Sequence, residues 1–219
     1  MATLATTPKL IKGGLVLVNP ESGQIQRVIS LQYNPDSLSR TLQVQGVEGE
    51  GGHRTEALRL KGPAIETIRL EIEIDAADDL EHPNEHADVA SLGLHGVLAA
   101  LELIVQPASG DLVANDALAS MGSIEIIPAE KPLTLFVWSQ QRVLPVRITE
   151  FFITEEAFDP ALNPIRVRVH LAMRVLSVDD LGFTHKGGGL FVSYLQRKER
   201  LAEKAPRAEL NQLGLGSIG

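Results

Sequence analysis

The chain has 219 residues, 44% apolar and 22% charged, which suits one generous folded domain or a domain with an appendage and excludes disorder throughout. A formal charge of −8 argues against general nucleic-acid binding, which needs a basic face to displace counterions from phosphates. With no cysteine, disulfide staples and thiolate metal sites are excluded.

The opening MATLATTPKLIKGG lacks a basic start followed by an apolar core, so a signal peptide is not indicated. Strands are expected at GLVLVN, RVISLQYN and RTLQVQG and around RTEALRLKG, punctuated by the turn signals NPESGQ, NPDS and GEGG. NPESGQ should close a hairpin between its neighbours. In IRLEIEID, Ile68, Leu70, Ile72 and Ile74 alternate with Arg69, Glu71, Glu73 and Asp75. Period two places one face in a core, and burying four aliphatics contributes about 6–12 kcal/mol before conformational entropy is set against it.

The most apolar window, VASLGLHGVLAALELIV, is interrupted by His95 and Glu102 and is too short for a membrane span. It reads as part of one buried helix from about Asp88 to Val105. A loop follows at QPASGD, and residues 107–130 read as an extended surface segment with a short strand near SIEIIP. Strands resume at LTLFVWS and VLPVRITEFFITEEAF, and FDPALNP should close a second hairpin. In IRVRVHLAMRV, Ile165, Val167, Val169, Leu171, Met173 and Val175 alternate with Arg166, Arg168, His170, Ala172 and Arg174.

The polar faces of the two alternating strands are complementary, one acidic and one basic. As neighbours, their charges would pin the register; on opposite margins of a subunit, they would join identical copies.

Residues 1–182 are thus expected to form a β-rich α+β domain, a barrel or sandwich carrying one packed helix. Residues 183–219 are expected to form a helical arm behind a glycine hinge, followed by a C-terminal extension. In the arm, Leu190, Phe191, Tyr194, Leu195 and Leu201 fall on one side and Arg197, Lys198, Arg200 and Lys204 on the other. Such a helix either folds back on its own domain or docks on a partner. Leu210, Leu213, Leu215 and Ile218 lie among glycines and cannot form a core alone; they are either frayed or used by a partner.

Residues 82–86, HPNEH, spell the inverted zinc-peptidase motif H-x-x-E-H. Pro83 confines His82 to the start of any helix, so the two imidazoles would not share a helical face. The surrounding DDLEHPNEHADV has loop composition, and a metal-dependent hydrolase stands only as a remote alternative. His53, His170 and His185 occupy a glycine-rich loop, a polar strand face and the expected hinge. The pairs Asp78–Asp79 and Asp179–Asp180 suit helix starts. No nucleophile elbow, phosphate loop or dinucleotide fingerprint is present, and neither a catalytic site nor a cofactor is expected.

The segment LQYNPDSLSRTLQ, with Tyr33, Asn34, Pro35, Asp36, Ser37, Leu38 and Arg40, resembles the opening of the contractile injection system tube-protein family. IRLEIEID, the helix containing ADVASLGLHGVLAALELI, the proline-led strand KPLTLFVWS and the hairpin with Phe158, Asp159 and Pro164 follow in the family's order. The resemblance spans about residues 10 to 182. It implies a phage-tail-tube-like fold and a structural baseplate subunit, a hub adaptor forming a six-fold ring between the spike hub and the inner tube. An inner-tube or tube-cap subunit is the alternative. The implied partners are further copies, the spike-hub protein, the inner-tube protein and inner baseplate proteins, without nucleic acid or membrane insertion. Assembly would be cytoplasmic, within a phage-tail-like particle. Glu71 and Glu73 against Arg166 and Arg168 are candidate interface charges, and Leu190, Phe191, Tyr194, Arg197, Lys198 and Arg200 a candidate docking arm. Two departures stand out: the C-terminal residues are too few and too helical for the LysM module some relatives carry, and Ser139 follows the tryptophan where the family often has glycine.

Overall fold

The computed structural model describes residues 11–46, 58–121 and 131–218. Seven strands form one antiparallel sheet: β1 (Gly14–Val18), β2 (Ile25–Ser30), β3 (Leu38–Gln43), β4 (Ile65–Asp75), β5 (Leu133–Ser139), β6 (Arg142–Phe158) and β7 (Pro164–Val175). Their order is β2-β1-β5-β6-β7-β4-β3. Both expected hairpins form: β1 pairs with β2 across residues 19–24, and β6 pairs with β7 across residues 159–163. In the second turn the Asp159 carboxylate accepts hydrogen bonds from the Ala161 and Asn163 N–H groups, each at 2.8 Å.

The expected barrel does not close. The sheet is open, with β2 and β3 at its margins. It nevertheless curls, because Leu15 and Leu31 from one side share a core with Ile68 and Ile72 from the other. Closure fails because β3 covers only residues 65–70 of β4. Beside the uncovered end of β4 runs the connector 31–37, where Pro35 can give no ladder hydrogen bond. A side chain takes the place of a strand ladder there. Gln32 Nε2 donates to the Asp75 carbonyl at 2.6 Å, and the Asp75 N–H donates to Gln32 Oε1 at 2.8 Å.

Alternation sorts the strands as the sequence pattern requires. Ile68, Leu70, Ile72 and Ile74 are buried beside Val167, Val169, Leu171 and Met173. β6 departs from strict alternation through a register shift between Ile148 and Glu150. That irregularity lets Val146 and Ile148 before it, and Phe151 and Ile153 after it, all pack on the main core. A second cluster, built on Val18, Leu133 and Leu135, lies on the opposite face of β5 from Phe136.

Among the described residues six α-helices accompany the sheet: α1 (Ala77–Leu80), α2 (Ala87–Leu92), α3 (His95–Val105), α4 (Ser109–Ser120), α5 (Val178–Leu181) and α6 (Lys186–Glu203). The single helix expected from Asp88 to Val105 is two helices, broken at Gly93. That residue has φ +56°, and a Cβ there would lie 2.5 Å from the Pro164 carbonyl oxygen. The break brings the Leu94 N–H onto the same oxygen at 2.8 Å, anchoring the helices to the start of β7. α3 buries Leu98 and Leu101 but exposes Leu103 and Val105.

Further expectations need correction. Residues 109–120 form α4 rather than an extended segment, and none of its side chains is buried. SIEIIP lies outside the described residues, as do residues 54–57 of RTEALRLKG. The remainder of that stretch makes only an isolated bridge, Gly46 to Leu60, and no strand.

Nor is there a glycine hinge. Gly187, Gly188 and Gly189 lie inside α6, which folds back onto the domain. Phe191 and Tyr194 enter the main core, and Leu190 packs on the second cluster. Glycine is required at 188 by proximity: a Cβ there would sit 1.9 Å from the Gly182 carbonyl oxygen. Preceding it, α5 has the capping box its acidic pair suggests. The Asp179 N–H donates to Ser177 Oγ at 3.1 Å, and the Ser177 N–H donates to Asp180 Oδ2 at 2.9 Å.

Candidate interaction surfaces

The two complementary strands are neighbours, so their charges pair within one chain. β4 and β7 set Asp75 opposite Arg166, Glu73 opposite Arg168 and Glu71 opposite His170. Arg166 Nε reaches Asp75 Oδ2 at 2.7 Å, Arg168 Nε reaches Glu71 Oε1 at 2.8 Å, and Arg168 also reaches Glu156 at 3.3 Å. Across β7, Arg69 meets Glu150 of β6 at 3.4 Å. Burial would push the Asp75 carboxyl up, but hydrogen bonds from the Ala77 N–H and Arg166 outweigh it and hold the group below the usual carboxylate range. Half-exposed pairs of this kind contribute about 0.2–1 kcal/mol each. Their main effect is register, since a slip by one residue would set each charge opposite an apolar side chain of the other strand. The cations Arg166 and Arg168 are already engaged in cis.

The Tyr33-Asn34-Pro35 segment is structural in its contacts. The Asn34 amide donates to the Ile11 carbonyl at 2.8 Å, and its Oδ1 accepts from the Gly13 N–H at 2.9 Å. This ties the connector to the chain entering β1. The half-exposed Tyr33 hydroxyl lies 3.3 Å from Asp78, whose negative charge pushes the phenol up. Leu38 is half-buried at the start of β3 and packs on the core.

Arg40, from the same segment, belongs to a cluster that fastens α6. Glu66 is 3% exposed, and its Oε1 accepts from Arg40 Nε at 2.6 Å while Oε2 meets Lys198 Nζ at 3.4 Å. Arg40 also donates to the Tyr194 hydroxyl at 3.0 Å, and the Lys198 ammonium sits 4.3 Å from the Tyr194 ring centroid. Arg197 donates to the Gln140 carbonyl, whereas Arg200 stays exposed. Of the expected docking arm, Leu190, Phe191, Tyr194, Arg197 and Lys198 are therefore engaged within their own chain. Glu66 escaped the sequence reading although a signal was there: it stands in phase with Ile68, Leu70, Ile72 and Ile74. A carboxylate on the buried phase of a strand requires a cationic partner within reach.

Residues 82–86 form turns between α1 and α2, so His82 and His86 do not share a helical face; His86 lies 3.6 Å from Asp79. Among the described residues no group of three His, Asp or Glu side chains is placed to hold a metal ion, and no single helix is long and apolar enough to cross a membrane.

The margins of the sheet remain. Among the described residues β2 and β3 each pair on one side only. β2 exposes Ile25 and Val28; β3 and the residue following it expose Leu42 and Val44. Unpaired backbone beside apolar side chains is the chemistry of strand addition. At the end of β4, next to the connector, a cleft of about 380 Å3 has an apolar floor and a rim bearing Asp78 and Asp79. Compared with known proteins, the chain matches no family model and no curated protein sequence.

Proposed function

We propose that this chain is a structural subunit of a contractile injection system, a baseplate hub adaptor whose copies close into a six-fold ring between the spike hub and the inner tube. The observation that carries the reading is the curled antiparallel sheet whose two different margins, β2 and β3, are each unpaired on one side among the described residues and bear exposed apolar side chains. Different margins make a heterologous, head-to-tail joint, and such joints generate rings when the rotation closes. The Tyr33-to-Arg40 resemblance supplies the particle. Its residues serve here to join the connector to β1 and β3 to α6, the role of a fold element in a phage-tail-tube-like domain. The partners are further copies of the chain, the spike-hub and inner-tube proteins and inner baseplate proteins; the chain assembles in the cytoplasm and performs no catalysis.

A tube or tube-cap subunit is the second reading. A helix fastened over the core by Arg40, Glu66, Tyr194 and Lys198 favours the adaptor, because a plain tube subunit needs little beyond the sheet. Imaging particles that carry a tagged copy tests both: one ring of label beside the spike supports the adaptor, and label along the whole tube overturns it.

A further inference from the structure

We infer that the cavity bounded by the end of α3, the start of β5 and the α5–α6 junction binds an amphiphilic monoanion, a carboxylate carried on an alkyl chain. Arg147 and His185 are its polar anchors. The inference goes beyond the ring reading and does not rest on it.

The cavity measures about 390 Å3, within the range of small-molecule sites. Its apolar wall is assembled from separate elements: Ile104 of α3, Leu133 of β5, Val146 and Ile148 of β6, and Leu176 and Leu181 on either side of α5. Without an apolar occupant, such a wall forfeits the dispersion contacts an alkyl chain would give it.

Three side chains bring hydrogen-bond donors to the wall, Lys131, Arg147 and His185, and no described lining residue is a carboxylate. Arg147 sets the charge. It stands directly opposite Arg174 across β6 and β7, where like charges repel unless an anion compensates them. The carboxylate at hand, Asp180, is committed to Arg174 at 2.7 Å and to the Ser177 N–H at 2.9 Å. Even so, Arg174 Nε is buried without a hydrogen-bond partner among the described residues. Arg147 is exposed at the cavity and forms no ion pair with any described residue.

His185 adds a directed donor. Its Nδ1 accepts from the Gly187 N–H at 3.0 Å, so the neutral ring carries its proton on Nε2, which is left to donate. Lys131 is partly occupied, its ammonium 3.5 Å from the Leu103 carbonyl, and Glu130 beside it lies outside the described residues. Glu21 and Glu102 neighbour lining residues in sequence but do not line the cavity. One guanidinium and one neutral N–H fit a monoanion. The guanidinium grips a carboxylate through two parallel hydrogen bonds, and the alkyl chain follows the apolar wall.

The full chain, methyl-labelled for NMR, is titrated with octanoate, hexanoate, 1-octanol and inorganic phosphate. Octanoate is expected to shift the Ile104 and Ile148 methyl signals saturably and to leave that of Ile25, on β2, in place. Each buried methylene strengthens binding about fourfold, so octanoate should bind about tenfold or more tighter than hexanoate. Arg147→Gln relieves the repulsion from Arg174 and so spares the fold. It is expected to weaken octanoate at least fivefold and 1-octanol less than twofold, whereas Arg200→Gln should change neither. Octanoate as insensitive to Arg147→Gln as 1-octanol would reduce the site to an apolar hollow and overturn the inference. So would phosphate binding as tightly as octanoate, which would leave the alkyl chain without a role, or Ile104 and Ile148 signals unmoved up to the solubility limit of octanoate. None of these outcomes bears on whether copies of the chain form rings.

Discussion

Gly188→Ala and Gly189→Ala, adjacent in α6, should differ in stability. Neither glycine has positive φ, so alanine is compatible with both backbones, and each substitution gains up to about 1 kcal/mol of helix propensity. At 189 nothing lies within 4 Å of the new Cβ, and the gain should appear intact. At 188 the Cβ would meet the Gly182 carbonyl oxygen at 1.9 Å and its carbon at 3.0 Å. Both are backbone atoms that cannot rotate away, so α6 must lift from its seat on α5. Overpacking of this kind costs about 1–3 kcal/mol. Propensity cancels in the comparison, so Gly188→Ala should be less stable than Gly189→Ala by about 1–3 kcal/mol. Urea denaturation with linear extrapolation measures the difference. If α6 instead left the domain through a glycine hinge, both variants would be equally stabilised. Gly188→Ala as stable as Gly189→Ala would refute the docked helix.

Three further outcomes follow from the same contacts. Gln32→Ala strips partners from both the N–H and the carbonyl of Asp75 and should cost about 1–3 kcal/mol in urea denaturation; a loss below 0.5 kcal/mol, roughly the surface background, would mean that the margin bridge is idle. Glu66→Ala leaves Arg40 and Lys198 facing each other; because both cations are partly exposed, the usual cost of breaking a buried pair falls to about 2–3 kcal/mol, and protease sensitivity in residues 182–186 should rise as α6 loosens. Unchanged stability and cleavage would count against the cluster. The Asp159 carboxyl is held below its ordinary range by the Asn163 side-chain amide and then by the Asn163 and Ala161 N–H groups. A depressed folded-state value means the unfolded chain binds more protons, so this contribution is complete above the ordinary carboxylate range and is lost as pH falls through the folded value. Asp159→Asn should flatten that acid limb in pH-dependent melting, and an unaltered limb would exclude Asp159 as its source.

The strands were legible because burial on one face of a sheet writes itself as period two, and both hairpins because their turns carry proline and asparagine, with glycine in the first and Asp159 in the second. Strand order was not. The complementary faces of β4 and β7 were compatible with adjacency or with opposite margins, since a charge pattern alone does not say which strand lies beside which. The break at Gly93 was hidden because a glycine within an Ala/Leu-rich run is tolerated by a helix; only the Pro164 carbonyl, 71 positions later, makes it obligatory. α4 was read as extended because Pro107 and Gly110 are turn residues, although the following ALAS is ordinary helical material. Three glycines before an amphipathic stretch look like a hinge unless the carbonyl that crowds against them is known. A barrel or sandwich was expected from the strands; the structure has one open sheet, whose closure fails because β3 stops short of the end of β4 and Gln32 stands in its place.

The charge pairs also change what a mutation at the expected interface would report. Arg166→Glu and Arg168→Glu would set like charges against Asp75 and Glu71 within one sheet, so any loss of assembly in those variants must be weighed against the stability of the isolated subunit.

The most direct measurement is native mass spectrometry of the purified chain over a range of concentrations, alone and mixed with the spike-hub protein of a contractile injection system. A ring-forming subunit gives a closed species of six copies of the 23.7 kDa chain, appearing or sharpening when the hub is present. A single 23.7 kDa species at every concentration, unchanged by the hub, would contradict it.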